Sequence, residues 1–396
     1  MISKTLLNIQ RLTRQLWIRV VLISLCSLLA LVLAPLLTPV LPDALNTRFG
    51  REAVLPILTI LASGMLAVTT FSLNVMVSAY RTASSMATPR VYRLLLEDTV
   101  TQSVLATFVG GFVYSLSAII LFRAEFYAPQ SAIVVFGMTI FVVVLIVIAI
   151  LRWIDHLSGL GSMDHTLRMI ETRARTSLIQ RAKRPCLGGQ EAKNDDCPAG
   201  GNPIPAKNSG FVRFVDMARL NETAEKGNAH ITLHRRPGDF VLRGRPVAWA
   251  EGLDKAGCAD LSSAFEIGDV RSFDQDPRFG LTLLAETAQK ALSPGVNDPG
   301  TAIEVMGRLE RLLWETLEES PSDQDCMFKN VSLVPVAPRS LLNNSFAPIA
   351  QSGAEDTQVM DWMDKALCAL AQHPTDGLAN AAEALRLELF PKATQD

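Results

Sequence analysis

Histidine, cysteine and clustered carboxylates are the residues of this chain with the chemistry to hold a metal or move a proton, and their spacing argues against most such uses. The five histidines are His156, His165, His230, His234 and His373, and the six cysteines, Cys26, Cys186, Cys197, Cys258, Cys326 and Cys368, form no C-x-x-C pair. No His–Cys group has zinc-ligand spacing, so neither a metal site nor a disulfide framework is expected. His230 and His234 alternate with apolar residues on a strand-like run, where four residues span about 13 Å, too far for one ion. His156 and His165 are read onto one continuous helix, where a nine-residue separation turns their side chains about 180° apart. Ser293 stands in Ala-Leu-Ser-Pro-Gly, outside any G-x-S-x-G elbow and with no evident base, and phosphate-loop, dinucleotide and zinc-protease motifs are absent. An enzyme is not expected, and no cofactor.

Two constellations carry more. Thr59, Ser63, Thr70, Asn74 and Ser78, with Arg81 at the end, fall within about a 100° arc of an otherwise apolar helix and make one polar stripe. Such a stripe serves helix packing or lines a polar path, and Gly64 with the Gly110-Gly111 pair offers close helix approach for the first use. The second constellation holds Arg271, Gln275 and Asp276, then Ser293, Pro294, Asn297, Asp298 and Pro299. Asp298 can cap a helix that begins with Pro299, and Gly295 reads as the end of the helix before it. The result is a tight corner, or a loop that presents a helix start to an anion or a partner.

The elements that position these residues follow from hydropathy. The chain has 396 residues, 49% hydrophobic and 19% charged, and the apolar excess is concentrated in four uncharged runs, Val20 to Pro42, Ala53 to Tyr80, Thr99 to Phe122 and Phe126 to Leu151. Each exceeds the roughly 20 residues needed to cross a bilayer. The first is longer than the apolar region of a signal peptide and is expected to remain as an anchor. The fold class is therefore membrane α-helical, with four transmembrane helices, plus a cytoplasmic α+β domain. Residues 1–155 form the transmembrane domain, 156–184 a juxtamembrane helix continuing from the fourth span, 185–210 a flexible linker, and 211–396 the cytoplasmic domain.

Fourteen arginines and lysines flank the spans on one side: four before the first span, Arg81, Arg90 and Arg93 between the second and third, and seven from Arg152 to Arg184. Only Arg48, Arg51 and Arg123 lie in the other two loops, so both termini are expected in the cytoplasm and the protein in a bacterial inner membrane. Arg90 and Arg93, after the Thr88-Pro89 break, are expected to meet lipid phosphates. A net charge of −2 gives no footprint for nucleic acid. The expected partners are the bilayer and further copies of the chain.

Gly268-Asp-Val-Arg-Ser-Phe-Asp-Gln-Asp-Pro-Arg-Phe-Gly-Leu281, followed by Ala291-Leu-Ser-Pro-Gly-Val-Asn-Asp-Pro-Gly-Thr-Ala302, resembles the signature of a bacterial family of predicted membrane proteins, domain of unknown function 2254. Phe71-Ser72, Ser84-Ser85, Pro89-Arg90-Val91, Asp98, Tyr114, His156, Asp216 and Pro237-Gly-Asp-Phe-Val241 with Gly244 agree in order. Departures are Lys290 for arginine, Ser272 for threonine, and Asp155 where a second histidine is common. The resemblance implies the topology and brings no activity. Pro237 to Val247 also looks like the hairpin of lipoyl-type barrel-sandwich modules, without their modifiable lysine. The expected function is a channel-like or transport-like element regulated by its cytoplasmic domain. The alternatives are a non-conducting scaffold or sensor, and a membrane-bound hydrolase or transferase built on Arg271, Asp274, Asp276 and Asp298.

Overall fold

Uncharged runs become long helices, and interruptions by glycine, proline and charge set where they stop. The computed structural model describes residues 16–37, 51–96, 98–126, 132–194, 198–317 and 326–391. It divides into two units, Met1–Ser85 with Tyr92–His165, and Met86–Val91 with Thr166–Asp396.

In the first unit the helices are α1 (Leu16–Leu37), α2 (Arg51–Met86), α3 (Val91–Leu96), α4 (Thr99–Arg123) and α5 (Ala132–Gly159). Among the described residues three of them, α2 from Val54, α4 and α5, are long and apolar enough to cross a membrane. The first expected span falls on α1, which is apolar over Val20–Leu29 and whose flanks lie outside the described residues. The interior has two apolar clusters. Leu31, Val54, Leu58, Tyr114, Phe122 and Val135 meet toward one end, and Met65, Val104, Leu105, Phe108, Ile146 and Trp153 toward the other.

The chain leaves this unit by a turn rather than by the continuous helix expected from sequence. Helix α5 stops at Gly159 and α6 begins at Met163 and runs to Lys183. Between them Gly161 adopts φ +86°, and a Cβ there would lie 3.2 Å from the Ala79 carbonyl oxygen and methyl of α2. Left-handed backbone pressed against a neighbouring helix leaves room for glycine alone. The Ser162 hydroxyl then accepts the His165 backbone N–H at 3.1 Å and starts α6.

The second unit takes α6 from Thr166 and adds a mixed sheet of five strands, β1 (Gly189–Glu191), β2 (Asn202–Pro205), β4 (His230–Leu233), β6 (Pro246–Glu251) and β8 (Phe328–Leu333), in the order β1-β8-β4-β6-β2. β8 runs parallel to β1 and β4, whereas β6 is antiparallel to β4 and β2. Three strands, β3 (Gly210–Val215), β5 (Phe240–Val241) and β7 (Phe265–Gly268), make a second sheet in the order β5-β3-β7. Ile204, Ile231, Leu233, Val247, Ala248 and Val331 close the core beneath α7 (Met217–Lys226) and α8 (Lys255–Leu261). The segment read as a linker therefore contributes β1 and β2. Its prolines mask the strand in the sequence, yet Pro203 and Pro205 sit on β2 at the sheet edge, where a missing N–H costs no ladder bond. Helices α9 (Pro277–Ala291), α10 (Pro299–Leu317), α11 (Pro338–Asn343), α12 (Phe346–Ser352), α13 (Thr357–Leu370) and α14 (Asp376–Leu389) complete the unit.

Replacing Gly161 by Val should destabilise the full chain in detergent by about 1 kcal/mol or more, read as a lower thermal midpoint. An unchanged midpoint would mean that the turn tolerates a side chain.

Candidate functional site

Helix α2 has two unlike faces. Val54, Leu58, Met65, Thr69, Ser72, Tyr80 and Ala83 are buried and, at about 100° per residue, fall on one side. Thr59, Ser63, Thr70, Asn74, Ser78 and Arg81 are all exposed. Their mean direction lies about 150° around the helix from the buried face. Packing among the described residues therefore does not account for the stripe. Gly64, expected to bring helices together, has nothing within 4 Å of its Cβ position. Gly110 instead seats Ile23 of α1, and Gly111 seats Ile146 of α5 and Met65 of α2. The hydroxyls of Thr59, Ser63 and Thr70 satisfy themselves by donating to the carbonyls of Leu55, Thr59 and Leu66 at 2.9–3.0 Å. Asn74 has no such recourse, and among the described residues its amide meets no hydrogen-bond partner. Exposed Leu66 and Leu73 border the stripe on one side, and Ile60 and Phe71 on the other.

At the end of the same unit a polar knot closes the helices. Asp98 caps α4: its carboxylate accepts the Val100 and Thr101 backbone N–H groups at 3.2 Å, the Thr101 hydroxyl at 2.5 Å, and His156 Nε2–H of α5 at 2.6 Å. Burial pushes the carboxyl up, but the bonds from His156 and Thr101 overcome it and hold Asp98 at about 2. Because the helix breaks at Gly161, the His156 and His165 rings stand 5.6 Å apart, edge to face. The expectation that they point oppositely assumed one unbroken helix, which the structure does not have. Burial and then the repulsion of His156 keep His165 below the ordinary imidazole value. His156 Nε2 also faces Thr101 Oγ1 at 3.1 Å, so a single ring nitrogen serves both hydroxyl and carboxylate. A nucleophile–base–carboxylate relay needs one nitrogen for each partner, which this arrangement does not provide.

The loops singled out in the second unit are structural ties. Asp276, 1% exposed, accepts two bonds from Arg271 at 2.7–2.8 Å and caps α9 through the Arg278 backbone N–H at 3.1 Å. Arg278 in turn donates to Asp239 at 2.8 Å and to the Pro237 carbonyl at 3.0 Å. The Gln275 amide pairs with both backbone groups of Val215 at 2.8 and 3.1 Å, as a strand would. At the far end of α9, Asp298 accepts the Thr301 N–H at 3.0 Å and hydroxyl at 2.6 Å. The left-handed residue of this corner is Asn297, φ 51°, and not Gly295. The Ser293 hydroxyl is spent on the Lys290 carbonyl at 2.6 Å, and Pro294 and Pro299 bracket the corner. The two loops lie at opposite ends of a helix of 15 residues, about 21 Å apart, so they do not share a pocket. Arg90 also departs from expectation, since it pairs with Glu286 of α9 rather than standing free for lipid.

Sequence reading named His165 but set it apart from His156, and it missed Thr101 and the groove of about 660 Å³ between α6 and α10. In that groove Glu171 binds Arg308 at 3.0 Å and Arg311 at 2.5 Å, while Arg308 also holds Glu304 at 2.6 Å. The Gly159-Leu-Gly161 spacing was the available sign of a helix break.

Apolar helices long enough to span a bilayer, joined to an α+β unit, define a membrane protein. The chain belongs to the family described as predicted membrane protein DUF2254, whose model matches residues 13–369. Uncharacterized proteins of Mycobacterium bovis and Mycobacterium tuberculosis are 26% identical over 341 residues, which is 82% of this chain. The chain spans 64% of the length of these curated relatives. No solved structure matches.

The knot gives a pH dependence. His165 lies below its ordinary value of 6.5 in the folded chain, so its contribution to stability is complete above 6.5 and is lost as pH falls toward the folded value. Asp98, at about 2, stays ionised throughout that window. Going from about pH 8 to about pH 5 should therefore speed amide exchange across 159–165 in lipid nanodiscs, after correction for intrinsic rates. The His165→Phe variant should lose this acceleration. A wild-type protein with pH-independent protection would overturn the assignment.

Proposed function

We propose that this protein is a bacterial inner-membrane protein with four spans and cytoplasmic termini, assembling as a homo-oligomer whose α2 stripes face a shared polar axis. In this reading it is a channel-like or transport-like element, and the C-terminal unit regulates it. One observation carries the proposal: the stripe lies on the open side of α2, with Asn74 unpaired among the described residues. An amide left in hydrocarbon without a partner costs several kcal/mol, so water or a second copy has to meet it. The apolar borders Leu66, Leu73, Ile60 and Phe71 suit the seams between copies that such an axis needs. Arg81, exposed at the end of the stripe, would favour anions at the mouth.

Cysteines placed at Ser63 and at Asn74, in a chain lacking Cys26, should give disulfide-linked dimers in native membranes, whereas one at buried Leu58 should not. Reconstituted wild-type protein should conduct small ions, and Asn74→Leu with Thr70→Val should abolish the current while leaving cross-linking from Ser63 intact. Cross-links without current under any voltage or tension would leave a non-conducting scaffold, and absence of both would end the proposal.

The four-span topology has its own check. Reporter fusions after Phe49 and after Tyr127 should read as periplasmic and one after Asp396 as cytoplasmic. A periplasmic C-terminus would overturn it.

A further inference from the structure

The outer face of the three-stranded sheet carries a surface that neither the polar stripe nor the knot explains. Phe211 of β3 stands opposite Phe240 of β5, their rings 5.2 Å apart and edge to face. Strand alternation puts Leu242 beside Phe240 and turns Val241 and Val212 inward, where they are 3% and 0% exposed. Phe240 and Leu242 are 54% and 56% exposed. Their exposure is held in place by a rigid tip. The Arg245 N–H bonds the Leu242 carbonyl at 3.0 Å across a turn whose Gly244 has φ 80°. Gly244 N–H reaches the Ala206 carbonyl at 2.9 Å, Ala206 N–H returns to the Arg245 carbonyl at 2.8 Å, and Arg243 N–H bonds the Ser209 hydroxyl at 2.9 Å.

The same tip carries Lys207, Arg243 and Arg245, all exposed and, among the described residues, without a carboxylate partner. Asp239, the carboxylate next to Phe240 in sequence, is already neutralised by Arg278 at 2.8 Å. We infer that this tip, residues 206–211 with 240–245, is a docking site for an anionic lipid surface. The three cations meet headgroup phosphates, and Phe240 and Leu242 enter the boundary between headgroups and acyl chains. An exposed aromatic and an exposed aliphatic side chain on a tip that also carries three cations is the chemistry of interfacial binding. Each cation near an anionic surface strengthens attachment about fivefold, so three give roughly a hundredfold. That is weak for a free protein. It suffices when the same polypeptide carries the membrane spans, because the surface is then present at a high effective concentration. The inference rests on that anchorage and is independent of conduction.

The test uses the full chain in nanodiscs of phosphatidylcholine alone or of phosphatidylcholine mixed with phosphatidylglycerol. An environment-sensitive fluorophore is attached at Asn208→Cys, in a chain whose other exposed cysteines are replaced by serine. Quenching by an interfacial lipid-borne quencher should occur in the mixed discs, weaken in high salt, and be absent in phosphatidylcholine. The triple change Lys207→Gln, Arg243→Gln, Arg245→Gln should abolish it, and Phe240→Ser with Leu242→Ser should shift the emission to that of a water-exposed probe. Lipid quenching absent from both kinds of disc would overturn the inference. So would a probe shielded from aqueous quencher in both, since that pattern marks a protein partner or a second copy.

Discussion

A carboxylate stays ionised beside apolar helices only when the protein surrounds it with donors, and one end of the membrane unit is organised around the donors of Asp98. Two backbone N–H groups at the start of α4, the Thr101 hydroxyl and the His156 imidazole converge on its two oxygens. Each donor fixes something larger. The backbone pair sets where α4 begins, His156 draws α5 against it, and the turn at Gly161 brings His165 back over His156. Tyr80, 2% exposed beside this group, adds α2 to the same contact. One charge thereby relates three helices whose apolar surfaces, alike in lipid and in protein, would otherwise slide with little penalty.

Polar atoms elsewhere in α2, α4 and α5 are handled by a cheaper device. Thr69, Ser115 and Thr139 donate to carbonyls of their own helices at 2.6–2.8 Å, and Tyr114 reaches Thr139 at 3.0 Å. Back-bonding neutralises a hydroxyl wherever it points, so hydroxyls alone say little about which face of a helix is wet. A carboxamide has two donors and cannot fold them onto its own helix in the same way. Asn74 is therefore the informative member of the stripe, and the threonines and serines around it only become significant through sharing its direction.

The helices and their order were legible in the sequence because their signals are local: uncharged length for α2, α4 and α5, and amphipathic period for α9, α10, α13 and α14. The stripe was legible as a stripe, since period alone gives its arc. Which way it faced was not, because that depends on which side of α2 the residues of α4 and α5 occupy, and no pattern within α2 records it. The same blindness hid the knot. Asp98 and His156 are separated by 58 residues, and pairing them requires knowing that the ends of α4 and α5 meet. The linker assignment failed for a different reason: glycine and proline suppress the strand signal of residues 189–205, yet partners in β6 and β8 supply the hydrogen bonds that local propensity does not.

Buried hydrogen-bonding capacity is left over in both units, Trp249 Nε1 and Arg278 Nε of the second among it. In the second, Asp276 is enclosed by two arginines and Glu171 by three, so their charge is consumed in joining elements. Removing such a partner leaves a buried charge uncompensated, which makes these pairs structural ties first and poor reagents. In the first unit, Gln102 Oε1, Trp153 Nε1 and His165 Nε2 are buried without a partner among the described residues. Gln102 adjoins Thr101 in sequence, and the Trp153 ring lies 6.1 Å from His156, so this capacity collects about Asp98. Buried polar atoms are costly to leave unpaired, and a fold that needed only to bind α4 to α5 would be more stable with apolar residues at those positions. Retained beside an ionised carboxylate and two imidazoles, they are groups that a bound water would satisfy.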